Sequence, residues 1–491
     1  MGIVIRQSIK SSIFNYIGIA LGYVNMVWLF PSILSEENFG MIRVLLSAAM
    51  LMAQFGEFGM SNTLIRYLPY FKSDPGRKRS FLGFIFLTAS AVSFLLVSLL
   101  LLFKKSIFSL AGGKEVLLSE HFTIVLFIAI SILFSEILFS LSRAAYKAVF
   151  PSFVKETALR IFQTGVILLY YYDILDFNQF VSAFSLSYFL AMLIMFIYTK
   201  WRGILKMALP LKIAEVVSVR EMLTFSFFVF LNKLPNRALN QIDVLMLGAL
   251  AGLKSAGAYA IAFFIAEVVR IPARNILLVS NPLIAEAWKK KDLKKIGQMY
   301  KQSSINQLLI GGFVLVLILC NVGDFTFYLQ NKYTNLYPVI ALIGLAKVFD
   351  MATGINGLII SNSKYYRYSL YFNISLLALA VITNFILIPL YGIMGAALAT
   401  AISVFLLNMI KTLFLKYKFS LQPFSRETLL AIIVLFILLI FSDYLRFHYS
   451  HIVNIGLRVL ALSIIFFPVI YVLRLSNEIN TIINSILKRI K

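Results

Sequence analysis

LNKLPNRALNQIDVLMLGALAG, residues 231–252, lies where hydropathy requires a membrane span, yet its first thirteen residues include Asn232, Lys233, Asn236, Arg237, Asn240, Gln241 and Asp243. At 100° per residue, Lys233, Arg237 and Asn240 share one face, flanked by Asn236, Gln241 and Asp243, with Leu234, Ala238, Ile242 and Leu245 on the other. The stretch reads as a helix that is amphipathic inside the membrane, and such a helix needs a polar cavity or a partner to face. Pro235 removes one backbone donor and can kink it, freeing a carbonyl.

The rest of the chain supplies the membrane. Of 491 residues, 60% are hydrophobic and 13% charged, and the mean hydropathy is +0.88. A soluble exterior must stay polar, so this composition implies an all-α polytopic membrane protein. The start, MGIVIRQSIKSSIFNYIG, is basic and then apolar but lacks a small-residue cleavage site, and is expected to be a retained first span. The single cysteine, Cys320, excludes an intramolecular disulfide and argues against a thiolate metal site. His121, His448 and His451 lie near span ends and read as interfacial residues. Neither a metal nor a cofactor is expected.

Apolar windows of about 20 residues recur fourteen times, near 11–34, 39–60, 81–103, 121–142, 152–172, 178–199, 221–250, 257–284, 303–325, 336–360, 367–388, 393–415, 428–446 and 455–474. With the N-terminus inside, cytoplasmic segments collect 32 of the 45 Lys and Arg, including RKR at 77–79 and KKKDLKK at 289–295. The opposite loops hold seven: Lys104, Lys105, Lys114, Lys254, Lys332, Arg446 and Arg458. This alternation predicts both termini in the cytoplasm. It also accounts for the net charge of +24 as positive-inside bias, which removes nucleic acid as a partner.

LSEENFGMIRVLLS at 34–47 and AGLKSAGAYAIAFF at 251–264 echo each other, each a short outer turn ending in a glycine, Gly40 or Gly257. The offset of six spans preserves orientation, as in parallel repeats related by an axis along the membrane normal. The expected organisation is an N-terminal lobe with its linker (1–219), a C-terminal lobe (220–418), two extra spans (419–474) and a cytoplasmic tail (475–491). The tail, SNEINTIINSILKRIK, can form an amphipathic helix whose lysines lie near anionic lipid.

Other spans carry charge as well. In the eighth, Glu267, Arg270 and Arg274 fall within an arc of about 60° around Pro272. Counting inward from the outer turn, Arg237 and Arg270 lie roughly 20 Å deep, and Lys233 and Arg274 roughly 25 Å. Arg43, Ser47, Gln54, Glu57 and Ser61 form a polar stripe on the second span, Lys347 and Asp350 lie one turn apart on the tenth, and the fourth carries Glu136. Each such cation costs roughly 2.5–3.5 kcal/mol at the centre of a membrane helix.

Two readings follow. Ion pairs locking helices together would leave six cations against five acids, a residue of +1. A water-filled lumen for an anionic substrate fits the seventh and eighth spans better, where four cations meet two acids, because buried pairs seldom repay their desolvation. On that reading Arg43, Lys233, Arg237, Asn240, Arg270, Arg274 and Lys347 line the lumen, while Glu57, Asp243, Glu267 and Asp350 tune and couple.

The chain resembles the polysaccharide (O-antigen) flippase family of the multidrug/oligosaccharidyl-lipid/polysaccharide exporter superfamily. The resemblance is carried by SIFNYIGIALGYVNMVWLFPSILSEENFG at 12–40, GEFGMSNTLIRYLPYF at 56–71, DVLMLGALAGLKSAGAYAIA at 243–262 and PLYGIMGAALATAIS at 389–403. It implies a two-lobed, V-shaped transporter of the cytoplasmic membrane. Such a transporter flips an undecaprenyl-pyrophosphate-linked oligosaccharide by alternating access, beside a polysaccharide polymerase and other assembly proteins. In that family lumenal cations attract the pyrophosphate and acidic sugars, and the six cations above are the positions that fit.

Three alternatives stand beside it. A multidrug exporter of the same superfamily normally has twelve spans and an anionic pocket, against the cation excess here. A lipid II flippase shares the fourteen spans and the cationic cavity. A membrane glycosyltransferase or polymerase would need a sizeable outer loop, whereas DILDF at 173–177 offers only Asp173 and Asp176 in a tight turn. No nucleotide-binding loop is present, so an ion or substrate gradient is the expected energy source.

Overall fold

Long apolar runs dictate helices, since only a helix satisfies its own backbone polar groups in lipid. The computed structural model describes residues 2–104, 120–210, 213, 216–329, 332–333 and 336–490, and among them there is no strand. Helices occupy each of the fourteen expected windows: α1 (2–33), α2 (Glu36–Glu57), α3 (Pro75–Leu102), α4 (Phe122–Ala144), α5 (149–171), α6 (Phe177–Trp201) and α7 (Val219–Ala251). Then come α8 (253–289), α9 (Leu293–Leu319), α10 (Leu336–Ala352), α11 (367–391), α12 (393–419), α13 (Arg426–Ser442) and α14 (His451–Leu473). Gly392, at φ 55°, joins α11 to α12 by a sharp kink that a side chain would strain. The tail forms α15 (Asn477–Ile490), a polar-and-apolar helix as expected. Lys105 and Lys114 lie outside the described residues, as do the side chains of Lys488 and Lys491.

Among the described residues, eight helices are long and apolar enough to cross a membrane on length and composition alone, α11 and α12 counting as one. The others are interrupted (α5), short (α10, α13) or interrupted by charge and proline (α7, α8). Outward-facing apolar side chains such as Phe94, Leu102, Leu390 and Val472, each more than 60% exposed, are those of a multi-pass membrane protein.

The chain packs as two compact units, Met1–Gly257 and Ala258–Lys491, so the division falls just inside α8. The lobes expected at 1–219 and 220–418 rest on pseudo-symmetry rather than on packing density.

In the first unit, α1 lies against α5 through the GIALG stretch at 18–22. A Cβ on Gly18 would meet the Glu156 carbonyl oxygen at 2.2 Å, and one on Gly22 would meet Arg160 Nε at 2.7 Å. This is the small-residue spacing that lets membrane helices approach. Both helices carry a π-helical segment there, Val24–Leu29 and Val154–Ala158. The side chains supply partners: Asn25 Nδ2 donates to the Arg160 carbonyl at 3.0 Å, and Arg160 donates to the carbonyls of Lys155 and Glu156.

The turns after α1 and α7 also meet. Ser35 caps α2 by accepting from the Asn38 amide, Lys254 pairs with Glu36 at 2.8 Å, and the backbones cross at Gly40 and Gly257. A Cβ on Gly40 would come within 1.8 Å of the Leu253 carbonyl oxygen. The two glycines of the sequence echo are thus in direct contact.

In the second unit, α13 and α14 pack on α9. Phe313 stacks on Phe466 with centroids 4.1 Å apart, and Gly312 leaves room for Leu435, whose Cδ1 would lie 2.3 Å from a Cβ there. The expected ninth window, 303–325, overruns its helix: α9 ends at Leu319, and Asp324 sits in a separate short helix, Val322–Phe327. There it accepts from Arg458, and Oδ1 lies 2.5 Å from His451 Nδ1. Arg458, counted from sequence as an outer-loop cation, belongs to α14 and also donates to the Cys320 and Leu445 carbonyls.

Candidate functional site

In the first unit the polar cluster depends on a break after α2. Phe58 and Gly59 both adopt left-handed conformations, at φ 49° and 75°, and a short helix, Met60–Tyr67, follows. Ser226 of α7 donates to the Phe58 carbonyl, and a Cβ on Gly59 would strike the Ser226 carbonyl oxygen. Close approach of α7 therefore demands glycine at that point. Glu57 is buried, and its Oε1 accepts from the Ser61 amide at 3.1 Å, serving the start of the short helix. The turn delivers Asn62 to Lys233, whose Nζ donates to Asn62 Oδ1 at 2.8 Å.

Glu136 of α4 is not isolated. Lys155 of α5 pairs with it at 2.5 Å while lying over the Phe139 ring, and Arg237 and Lys233 are close enough to act on its charge. Three cations thus surround one acid. Arg237 is exposed and, among the described residues, forms no ion pair, and Asn236 and Asn240 beside it are also exposed. Gln241 Oε1 is buried without a hydrogen-bond partner.

Arg43 and Asp243 are placed differently. Both are buried, at 7% and 4% exposure, on helices that pack together where Val44 meets Gly248. Arg43 lies within electrostatic reach of Tyr188 on α6. The expected stripe is broken at Phe58–Gly59, which puts Ser61 on the short helix, but Arg43, Ser47, Gln54, Glu57 and Ser61 are all enclosed by the first unit.

The second unit has its own cluster. Pro272 cannot donate to the Val268 carbonyl, and α8 tightens to a 3-10 turn over Val268–Arg270. Glu267, immediately before the turn, meets Lys347 at 2.9 Å and Arg274 at 3.3 Å. Arg270, at its end, meets Asp350 of α10 at 3.4 Å. Asn408 of α12 donates to the other Asp350 oxygen at 2.9 Å and accepts from Thr353 and Asn356. Lys411, one turn along α12, is close enough to interact with both Asp350 and Arg270. Four cations here face two acids, and Arg274 remains 58% exposed.

Lys233 and Arg237 belong to one unit and Arg270 and Arg274 to the other, so each unit holds a cationic cluster of its own. Sequence reading misses Lys155, Lys411 and Asn408. The two lysines fall near the inner ends of their windows and are absorbed into the positive-inside tally, although each sits inside a helix one or two turns from an acid or an amide. Asp176, one of the two loop acids, is committed to capping α6: it accepts from the Gln179 amide, and Gln179 returns a bond to the Asp176 amide.

Comparison with known proteins agrees with this architecture. The family described as "Polysaccharide biosynthesis protein" matches residues 4–288. An uncharacterized membrane protein of Methanocaldococcus jannaschii is 21% identical over 487 residues, covering 94% of each chain. Among solved structures, a lipid II flippase, MurJ, in an inward closed conformation superposes with a TM-score of 0.71 at 17% identity, covering 94% of this chain and 99% of its own. An inward-facing multidrug resistance transporter of the MATE family, in the MOP superfamily, gives 0.60 at 15% identity, covering 85% and 98%. At these identities the likeness is one of fold.

Proposed function

Because the chain belongs to the polysaccharide biosynthesis protein family, we propose that it flips an undecaprenyl-pyrophosphate-linked oligosaccharide across the bacterial cytoplasmic membrane by alternating access, coupled to an ion gradient. The observation that carries this reading is the excess of cations over acids in each of the two intramembrane clusters, two in each: Lys155, Lys233 and Arg237 around Glu136, and Arg270, Arg274, Lys347 and Lys411 around Glu267 and Asp350. A charge excess inside a bilayer seeks an anion, and arginine grips phosphate oxygens in pairs. Asn232, Asn236, Asn240 and Gln241 supply donors and acceptors suited to sugar hydroxyls.

Coupling has a physical route. An anion arriving at Arg270 competes with Asp350, and one arriving at Lys347 or Arg274 competes with Glu267. A carboxylate released from its cation takes up a proton or sodium more readily. Asp243 and Glu57 join the coupling set on position alone. The lobes of this mechanism are 1–219 and 220–418, with 419–474 added and both termini cytoplasmic. Polymerase and other assembly proteins are its partners. A lipid II flippase is the second reading, favoured by the likeness to MurJ.

The test is a double variant. Arg237→Ala with Arg270→Ala is expected to accumulate in the membrane yet abolish surface polysaccharide, and Arg→Lys at either position is expected to restore only part of it. Normal export by the well-expressed double variant removes both arginines from the mechanism. Chemical identification of the lipid-linked glycan that accumulates when the gene is lost separates the two substrates.

A further inference from the structure

A cavity of about 740 Å³ lies away from both charge clusters, between the beginnings of α1 and α5 and the end of α6. That volume falls within the range of roughly 300–1,000 Å³ typical of ligand pockets. Its walls are aromatic. Phe14 meets Phe153 edge to face at 5.1 Å, and Phe150 lies 4.7 Å from Tyr198. Trp201, 77% exposed, stands at the rim. Among the described residues, the one charged member of the lining is Arg202, whose guanidinium lies 5.0 Å from the Trp201 ring and 5.8 Å from that of Tyr198. Among the described residues Arg202 makes no ion pair.

An apolar slot with a tryptophan and an unpaired arginine at its mouth fits an amphiphile that carries negative charge next to its chain. We propose that this groove holds an anionic phospholipid of the surrounding bilayer, with its phosphate on Arg202 and one acyl chain between the aromatic walls. Arginine pairs with the phosphate in bidentate geometry, and net charge selects the headgroup, because a zwitterionic lipid offsets its phosphate with an ammonium of its own. The groove opens at the end of the helices that the basic residues assign to the cytoplasmic leaflet, where anionic lipids concentrate. A tryptophan at the rim is the side chain expected at headgroup depth. The lipid would wedge α1 against α5 and α6 beside the Gly18–Gly22 contact. It is structural rather than transported, so the inference is independent of the substrate.

Native mass spectrometry of the full-length protein in detergent tests this, with phosphatidylglycerol and phosphatidylethanolamine of matched chains titrated separately. One phosphatidylglycerol per chain is expected to bind in preference to phosphatidylethanolamine. Arg202→Gln, a change at an exposed position, is expected to weaken phosphatidylglycerol about fivefold, the effect of one basic side chain at an anionic surface, and zwitterionic phosphatidylethanolamine by less, so that the preference is lost. Ile194→Trp, which fills the groove, is expected to remove the bound lipid without lowering the lipid-free thermal midpoint. Equal binding of the two lipids, or an Arg202→Gln protein that keeps the wild-type preference, overturns the proposal. So does displacement of phosphatidylglycerol by undecaprenyl phosphate at equal concentration, which would assign the groove to a prenyl tail instead.

Discussion

Lys347 Nζ lies 2.9 Å from Glu267 Oε2, and the two side chains are only 8% and 16% exposed. The lysine also rests over the Phe263 ring, 4.8 Å from its centroid, so the ammonium has exchanged water for one carboxylate and one π face. Such a pair is poised between locking α8 to α10 and yielding to a competing anion.

The two roles separate in variants. Glu267→Gln strands the buried lysine, and breaking a buried pair from one side costs roughly 3–5 kcal/mol. The thermal midpoint in detergent is expected to fall, and adding Lys347→Met is expected to recover it. If the pair only locks helices, export of polysaccharide returns with stability. If the pair takes part in transport, with Glu267 coupling or Lys347 meeting the anion, the doubly changed protein is stable and export stays impaired.

The Gly40 crossing makes a steric prediction. A Cβ there would overlap the Leu253 carbonyl oxygen at 1.8 Å, a backbone atom that cannot rotate away. Gly40→Ala is therefore expected to lower stability by about 1–3 kcal/mol, read as a drop in midpoint and yield. Gly165→Ala, with nothing within 4 Å of the added carbon, serves as the silent control. Equal midpoints for the two proteins would contradict the close approach.

Asp324 lies outside the spans, and its titration can be read directly. Burial alone would raise its pKa, but the hydrogen bonds from His451 and Arg458 outweigh burial and hold the carboxyl below its ordinary value of 3.8. A depressed pKa means stability that is present above the unfolded value and lost as pH falls through the folded one. Asp324→Asn is expected to be less stable than the parent at pH 5–7, and the gap should close as pH drops below about 3. A gap that persists unchanged at low pH would show that the interaction does not depend on the charge.

Topology can be checked with thiol labelling once Cys320 is replaced by serine. Lys254→Cys, at a site 76% exposed beside Glu36, is expected to react with an impermeant reagent in intact cells. Lys290→Cys, at an exposed position after α8, is expected to react only after lysis. External reaction at residue 290 would invert the assignment of leaflets.

Helix positions were legible because apolar runs mark them, and all fourteen windows contain helices, although among the described residues only eight are long and apolar enough to cross a membrane on length and composition alone. Charge partners were not, because pairing depends on which helix faces pack together. The stripe on α2 has the period of a lumenal face, yet its residues are enclosed by their own unit. Conversely, Glu136 looks solitary in sequence, since Lys155 reaches it from the next helix. Breaks were only partly legible. Pro272 announces the 3-10 turn in α8, whereas the π segments of α1 and α5, which lie beside Pro31 and Pro151, were not anticipated.

Gly312 leaves space that Leu435 of α13 fills, and a side chain there would collide with it at 2.3 Å. The position therefore records the presence of the terminal pair of helices. In a homologue built without α13 and α14, lipid would lie there instead of Leu435, and the position would be free to drift toward bulkier residues. Across an alignment, small residues at this site should travel with chain length, which makes one glycine a phylogenetic marker for when the last two helices were gained or lost.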